Sequence, residues 1–271
     1  MKDTPAILGK IASSTLARVE RARYGLSIEQ AQEQAFKLAE AEHIDKKSRL
    51  PFESALAAPG LSFICEVKKA SPSKGVITED FKWLEIAKDY EEGGASAISV
   101  LTEPEFFLGS DQYLREISAA VKIPALRKDF IIDQYQIYEA KIWGAKAILL
   151  ICALLNQETL ESFIAIAKEL ALDCLVEIHN EGEAQEALAA GAHIIGINNR
   201  DLTSFNVDTE LTSRLKKQLP QGILTVAESG IKTTDDIRRV KNSGVDAVLI
   251  GESLMRAADR KAFLKELISA R

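Results

Sequence analysis

The sequence is poor in the residues that bind metals and form disulfides. It contains three cysteines and three histidines in 271 residues. Cys65, Cys152 and Cys174 each lie within an apolar run, and none belongs to a CxxC pair or has the spacing of zinc ligands. We therefore expect three buried free thiols, a reducing compartment and no metal.

Long apolar runs and an excess of basic charge are also absent. No stretch approaches the roughly 18 apolar residues of a membrane span, and the N-terminal MKDTPAILGKIAS lacks the apolar core of a signal peptide. The formal net charge of −6 disfavours general binding to nucleic acid or to anionic membranes. We expect a cytoplasmic protein that binds anions only in a local pocket.

A repeated join between helix and strand organises the chain. Glycine precedes a short apolar run in GASAISVL, GAKAILLI, GAHIIGIN and GVDAVLIG, the form of a helix that ends at glycine and leads into a buried strand. Four further runs, LSFICEVK, IPALR, DCLVEI and ILTVAE, alternate with these. The eight predicted strands start near residues 61, 97, 123, 146, 173, 193, 223 and 246.

The segments between the strands have helical periodicity, and Thr233 and Asp236 have the spacing of a capping box. Apolar strands that alternate with helices predict a parallel sheet covered by helices. Eight such units indicate an α/β fold, a (β/α)8 TIM barrel. A doubly wound open sheet uses the same units, but no GxGxxG follows the first strand, which disfavours its dinucleotide-binding form.

The first sixty residues lie outside this eightfold pattern. A helical face is formed by Ile7, Leu8, Ile11, Thr15 and Val19. Residues 28–38 predict a second amphipathic helix, and Pro51 with AAPG at 57–60 is interpreted as the connection into the first strand. We predict one domain over residues 1–271, in which residues 1–60 are an N-terminal helical extension that packs on the barrel.

Polar residues follow the apolar runs where strands of a barrel converge on one mouth. These candidate site residues are Glu66, Lys68, Lys128, Glu177, Asn198, Arg200, Glu228 and Ser229. Glu66 and Lys68 are two residues apart and face the same side of a strand. Because a charged pair inside a barrel costs several kcal/mol unless it is paired, a role in the site is favoured over a purely structural salt-bridge network.

Two residues are candidates for proton transfer. Lys128, in ALRKDFIID, either keeps its ammonium and donates a proton or loses it and acts as a base or nucleophile; the alternative is a solvated charge paired with Asp129. Glu177 ends the run CLVEIH, where burial raises the pKa of a carboxyl and lysines lower it, as in a general acid or base. His179 is interpreted as a neutral, hydrogen-bonded histidine, since no second ligand matches a metal spacing.

A phosphate site is predicted after the last two strands, where barrels often bind phosphate through loop N–H groups. SGI at 229–231 and GES at 251–253 occupy these positions. Gly230 and Gly251 permit close approach of the backbone, and Ser253 adds a hydroxyl. The loop KKASPSKG at 68–75 either orders over an anion or is a mobile, solvated turn.

Six segments in this order resemble the indole-3-glycerol phosphate synthase family, the ring-closing enzymes of tryptophan biosynthesis. They are FICEVKKASPSKG, ALRKDFIIDQYQIYEA, LVEIHNEGEAQEAL, IIGINNRDLTSFNVD, VAESGI and VLIGESLM. The resemblance covers residues 60–257. It implies a barrel that converts 1-(2-carboxyphenylamino)-1-deoxyribulose 5-phosphate into indole-3-glycerol phosphate, CO2 and water without a cofactor.

The resemblance also implies residue roles. Lys128 is a general acid toward the substrate ketone; Lys68 holds the substrate carboxylate and is a candidate second acid; Glu177 is the base in the dehydration. Glu66 and Asn198 position these groups. The residues that line the substrate pocket are Ser71, Arg200, Glu228 and Ser229. Those that bind the phosphate are Gly230, Gly251 and Ser253.

The partner implied is a small phosphorylated molecule. We expect a monomer, with only transient contacts to other enzymes of the pathway, and any second barrel on a separate polypeptide. Three alternatives stay open: another phosphate-binding barrel isomerase or lyase, an aldolase that forms a lysine Schiff base, and a catalytically silent barrel subunit. An isomerase would not require both Lys68 and Lys128.

Overall fold

Eight parallel strands form a closed barrel in the computed structural model, which describes residues 6–42, 48–201 and 203–271. The strands are β1 Ser62–Val67, β2 Ala97–Leu101, β3 Ala125–Lys128, β4 Ala147–Ile151, β5 Asp173–Ile178, β6 Ile194–Asn198, β7 Leu224–Glu228 and β8 Ala247–Ile250. Each begins within two residues of its predicted start, and β8 pairs with β1 to close the ring. The predicted (β/α)8 barrel is confirmed.

Helices precede and follow the strands. Before β1 lie α1 Ala6–Gly25, α2 Ile28–Ala41 and α3 Pro51–Leu56. From β1 onward they are α4 Trp83–Gly93, α5 Asp111–Ala120, α6 Gln134–Ile142, α7 Gln157–Glu169, α8 Glu181–Ala189, α9 Leu211–Lys216, α10 Thr234–Asn242, α11 Glu252–Arg256 and α12 Arg260–Ser269. Interpreting Pro51 as part of a connection was wrong: it begins α3, since the first turn of a helix needs no N–H from proline.

Local signals explain where these elements begin and end. The four glycines of the repeated join have φ between +78° and +99°, a left-handed conformation that stops each helix before the next strand. Thr233 and Asp236 form the predicted capping box at the start of α10, and Ser27 and Gln30 form another at the start of α2.

The register of the barrel brings the polar strand ends to one level. Lys128 on β3 pairs with Leu101 on β2, and Glu177 on β5 pairs with Ile151 on β4. Asn198 on β6 pairs with Glu228 on β7. Because all eight strands are parallel, these carboxyl ends form a single mouth.

The N-terminal helices attach at different places. Leu8 and Ile11 of α1 are buried, and α2 packs against α6, where the Tyr135 hydroxyl donates to the carbonyl of Leu26 at 3.0 Å. At the opposite end of the barrel, Asp173 accepts from the backbone N–H of Glu53 in α3 at 2.8 Å. A carboxylate from the barrel thus caps a helix whose own N-cap residue, Leu50, provides no side-chain cap.

No disulfide joins the three cysteines, which all lie in the described part of the chain, and not all of them are fully buried. Cys65 and Cys152 are buried as predicted, whereas Cys174 is partly exposed, because on β5 it lies on the opposite face from the interior residues Leu175 and Glu177. Across the described part of the chain, no helix is both long enough and apolar enough to cross a membrane.

Asp173 makes the stability of the fold depend on pH. Burial raises its pKa from 3.8 to about 6, against the hydrogen bond from Glu53. The stability associated with its proton is therefore complete below about pH 4 and is lost as the pH rises through about 6. Asp173→Asn keeps an oxygen acceptor without this titration, so between pH 4 and 7.5 its free energy of unfolding should gain about 2–3 kcal/mol relative to the parent protein. Urea unfolding at several pH values measures this gain. Asp235→Asn, on the exposed face of α10, is the control, and parallel curves for Asp173→Asn and the parent would contradict the expectation.

Candidate active site

A cavity of about 420 Å³ opens at the carboxyl ends of the strands. Eleven of the twelve predicted site residues line it: Glu66, Lys68, Ser71, Lys128, Asn198, Arg200, Glu228, Ser229, Gly230, Gly251 and Ser253. Glu177 is the exception, because it lies behind Lys128 and is 2% exposed. The residues proposed from separate strand ends are thus brought together at one mouth.

Lys128 lies between two buried carboxylates. Its Nζ is 3.2 Å from Oε2 of Glu177 and 3.4 Å from Oε2 of Glu228. Burial disfavours its charge, but Glu177, Glu228 and Glu66 outweigh burial and raise the pKa of Lys128 above its ordinary value. The structure therefore favours the ammonium over an amine. A solvated lysine paired with Asp129 is excluded.

Glu177 is held ionised. Its Oε1 accepts from Nδ2 of Asn198 at 3.2 Å and lies 3.3 Å from Nε2 of His179. Burial raises the pKa of Glu177, but Lys128, His179 and Asn198 together lower it well below the ordinary range. A carboxylate in this environment is an acceptor and not a donor of protons at neutral pH.

The pKa of Glu228 is shifted in the opposite direction from that of Glu177. Its Oε1 is buried without a hydrogen-bond partner, and Gly196 lies so near this oxygen that a Cβ there would collide with it. Burial raises the pKa of Glu228; Glu177 and Glu66 raise it further, and Lys128 opposes them. The two carboxylates beside Lys128 therefore differ in their affinity for a proton.

Glu66 and Lys68 form an ion pair on one side of β1, as their spacing predicts. Gly251 lies beside both, and a Cβ at this position would meet the Glu66 carboxylate and approach Nζ of Lys68 to 3.1 Å. Glycine at the end of β8 therefore makes room for the pair.

Asn198 joins the ends of β6 and β7. Its Oδ1 accepts from Oγ of Ser229 at 2.8 Å and from the backbone N–H of Arg200 at 3.1 Å. Ser229 has φ of +66°, a left-handed conformation that is uncommon for a residue other than glycine. Nδ2 of Asn199 donates to the Ser229 carbonyl at 3.1 Å, which helps to hold this turn.

Arg127 and Asp129, on either side of Lys128, belong to a buried network, and Asp129 also borders the cavity. Asp129 accepts from Arg18 of α1 at 2.7 and 2.9 Å and from Arg127 at 3.0 Å. The guanidinium of Arg127 lies 4.1 Å from the ring centre of Trp143. This buried network fixes α1 to the end of β3.

Several residues of the cavity were missed in the sequence. Apolar lining is provided by Ile7, Leu8, Ile11, Leu101, Phe107, Phe130, Leu149 and Ile151. Lys232 adds positive charge near Gly230, whereas Arg256 forms an ion pair with Glu252, which also lines the cavity. The helical face that contains Ile7, Leu8 and Ile11 was visible as a pattern, but not its position over the mouth.

Two further interpretations are resolved. The loop at 68–75 is a hairpin in which Ala70–Ser71 pairs with Gly75–Val76, and not a simple solvated turn. The neutral state inferred for His179 was wrong: burial opposes its charge, but Glu177 and Glu183 raise its pKa well above the ordinary range. Among the described residues, no group of three or more His, Cys, Asp or Glu is arranged to hold a metal ion.

The fold and the site define an acid–base enzyme of the (β/α)8-barrel class, with two lysines and three buried carboxylates at its mouth. The family model of indole-3-glycerol phosphate synthase matches residues 8–267. The chain therefore belongs to the indole-3-glycerol phosphate synthase family, which confirms the resemblance seen in the six segments.

Curated relatives agree over almost the whole length. The chain is 53% identical over 261 residues to the indole-3-glycerol phosphate synthase of Ruminiclostridium cellulolyticum, covering 96% of this chain and 98% of that protein. The enzyme of the same name from Endomicrobium trichonymphae is 52% identical, covering 96% and 99%. A solved 3-hexulose-6-phosphate synthase matches with a TM-score of 0.63 at 17% identity, covering 78% of this chain and 99% of that one, a likeness of fold alone.

Removal of the charge at Asp129 should destabilise the fold. In Asp129→Asn the buried guanidinium of Arg127 and that of Arg18 lose their shared carboxylate, and we expect the free energy of unfolding to fall by about 3–5 kcal/mol. Asp111→Asn breaks an exposed pair with Arg115 and should cost under about 0.5 kcal/mol. Urea denaturation of both variants tests this difference, and equal losses would contradict it.

Proposed function

We propose that this chain catalyses the family's ring closure through the residues at the mouth of its barrel. The reaction converts 1-(2-carboxyphenylamino)-1-deoxyribulose 5-phosphate into indole-3-glycerol phosphate, CO2 and water. The observation that carries the assignment of roles is Lys128, a protonated lysine that faces the cavity from between Glu177 and Glu228. It is suited to give a proton to a bound ketone.

The cavity supports one orientation of this substrate. The phosphate lies against the loops of Gly230, Gly251 and Ser253, where Lys232 adds positive charge. The substrate carboxylate lies toward Lys68. The aromatic ring then packs on the apolar wall of the cavity, which includes side chains of α1.

Ring closure and decarboxylation follow from this orientation. Lys128 donates its proton to the ketone oxygen as the ring carbon that bears the carboxylate attacks the carbonyl carbon. Loss of CO2 returns the bonding electrons to the ring and restores its aromaticity. Lys68, paired with Glu66, keeps the carboxylate in place until this step.

Dehydration requires one proton given and one taken. Lys68 protonates the departing hydroxyl, and a proton leaves the adjacent carbon. Because Glu177 does not line the cavity, the acceptor in this proposal is the Lys128–Glu177 pair, whose nitrogen and oxygen are 3.2 Å apart. Over the cycle two protons are donated and one is recovered, so one proton is consumed as the carboxylate leaves as CO2.

The alternative chemistries fit these contacts less well. A Schiff base requires a neutral amine, whereas the carboxylates beside Lys128 favour its ammonium. A silent barrel gives no reason for burying two lysines and three carboxylates together, since unpaired or imperfectly paired buried charge is costly.

The remaining proposals concern the whole molecule. We propose one domain over residues 1–271, supported by a core cluster that includes Leu8 of α1 together with the barrel strands. We further propose a monomer that acts in the cytoplasm, where three cysteines that form no disulfide with one another suit a reducing compartment.

Lys128→Met should abolish most of the turnover. Loss of a positioned general acid lowers kcat by about 10²–10⁴-fold. Lys122→Met, at an exposed position before β3, is the matched control and should keep parental activity. Indole formation is followed by near-ultraviolet absorbance. Unaltered turnover of the folded Lys128→Met variant would contradict the mechanism, and borohydride trapping of substrate on Lys128 would replace the acid with a nucleophile.

Ser253→Ala tests the phosphate end of the cavity. The hydroxyl donates to the Ile231 carbonyl at 3.2 Å and lines the cavity with Gly230. In the proposed complex it turns from this carbonyl and donates to the phosphate. Its loss should raise KM by roughly 3–10-fold, the effect of one hydrogen bond to a charged group, with kcat changed by less than about twofold because the reacting carbons are remote. A fall in kcat at constant KM would place the phosphate elsewhere.

A further inference from the structure

His179 lies between two carboxylates outside the cavity. Its Nε2 is 3.3 Å from Oε1 of Glu177, within ion-pair distance although the N–H does not point directly at that oxygen. Its Nδ1 is 3.1 Å from Oε2 of Glu183. Neither His179 nor Glu183 is among the described residues that line the cavity. Contact with substrate therefore does not explain the arrangement.

Glu183 is fixed on the far side of the histidine. Its Oε2 also accepts from the backbone N–H of His179 at 2.7 Å, and its Oε1 accepts from Nδ2 of Asn180 at 2.9 Å. Asn180 in turn caps α8 by accepting from the backbone N–H of Glu183 at 2.9 Å. The carboxylate is thus held by the first turn of a helix and fixes the orientation of the imidazole.

We propose that His179, oriented by Glu183, is a positioning residue that supplies Glu177 with a second cation. The inference rests on the proposed function, because it concerns the proton acceptor of the dehydration. Lys128 faces Oε2 of Glu177 and His179 faces Oε1, so the carboxylate lies between two positive charges.

The need for a second cation arises within the catalytic cycle. When Lys128 gives its proton to the ketone, Glu177 loses the counter-charge on its Oε2 side. A buried carboxylate without a partner takes up a proton readily, because burial disfavours its charged form. His179 does not take part in that transfer, so its charge remains and keeps Glu177 able to accept the next proton.

The other charges near this pair do not supply the same effect. Glu177 is faced by Lys128 from β3 and by Glu228 from β7, and Asn198 of β6 is neutral. His179 is faced by Glu183 of α8 and, at longer range, by Asp201 after β6. Among these described residues, the charged groups around the pair other than Lys128 are acidic. This agrees with the raised pKa of His179.

The test compares pH profiles of three variants with the parent enzyme. His179→Gln removes the charge at similar size. Glu183→Gln leaves the Asn180 cap of α8 in place and keeps one side-chain oxygen acceptor, while removing the charge that orients His179. His193→Gln is the control, because His193 is exposed at the start of β6, at the other end of the barrel. The kcat, KM and melting temperature of each are measured with the phosphorylated substrate from pH 5 to 9.

We expect the acidic limb of the His179→Gln profile to move up by about one pH unit, so that kcat at pH values on this limb falls about tenfold. KM should stay within twofold of the parent, and activity should recover at higher pH. Glu183→Gln should move in the same direction by less, and His193→Gln should match the parent.

Other results overturn the proposal. A His179→Gln profile that superimposes on that of the parent, or a lower melting temperature with an unmoved acidic limb, would reduce His179 to a packing role while the proposed function stands. Absence of turnover in the folded parent enzyme would instead refute the proposed function, and with it this role.

Discussion

The site depends on the attraction between the ammonium of Lys128 and the buried carboxylates that surround it. Without the carboxylates, the buried lysine would lose its proton. Without the lysine, the buried carboxylates would each take up a proton. Their mutual attraction keeps Lys128 and Glu177 charged. Gly196 makes room for this arrangement. A Cβ at this position would displace Glu228, one of the two carboxylates that contact Lys128.

The three consecutive charged residues at the end of β3, Arg127, Lys128 and Asp129, serve two different functions. Lys128 points to the interior, whereas Asp129 accepts from both Arg127 and Arg18 and so links α1 to the end of the strand. Apolar residues of α1 line the cavity, and α1 is bound to Asp129, the residue next to Lys128. A displacement of α1 would therefore also displace Lys128.

The parts of this protein that depend on local pattern were predictable. The strand starts and the capping box at Thr233 follow from neighbouring residues, and convergence of strand ends on one mouth follows from the barrel. The missed features depend on contacts between distant segments. No local pattern places α1 over the cavity, puts Glu177 behind Lys128, or reveals that His179 lies against two carboxylates. The partial exposure of Cys174 was not predicted, because an apolar run does not indicate which face of β5 is covered.

Charge is distributed unevenly along the cavity, and this gives the proposed substrate a direction. At one end Glu66 and Glu228 accompany Lys68 and Lys128, so that a carboxylate bound there meets little excess of positive charge. At the other end Arg256 is paired with Glu252, while Lys232 and the loop N–H groups provide an environment suited to a phosphate. In the proposed orientation, the phosphate therefore lies at the loops after β7 and β8. The carboxylate lies at the opposite end, where Lys68 holds it until it leaves as CO2.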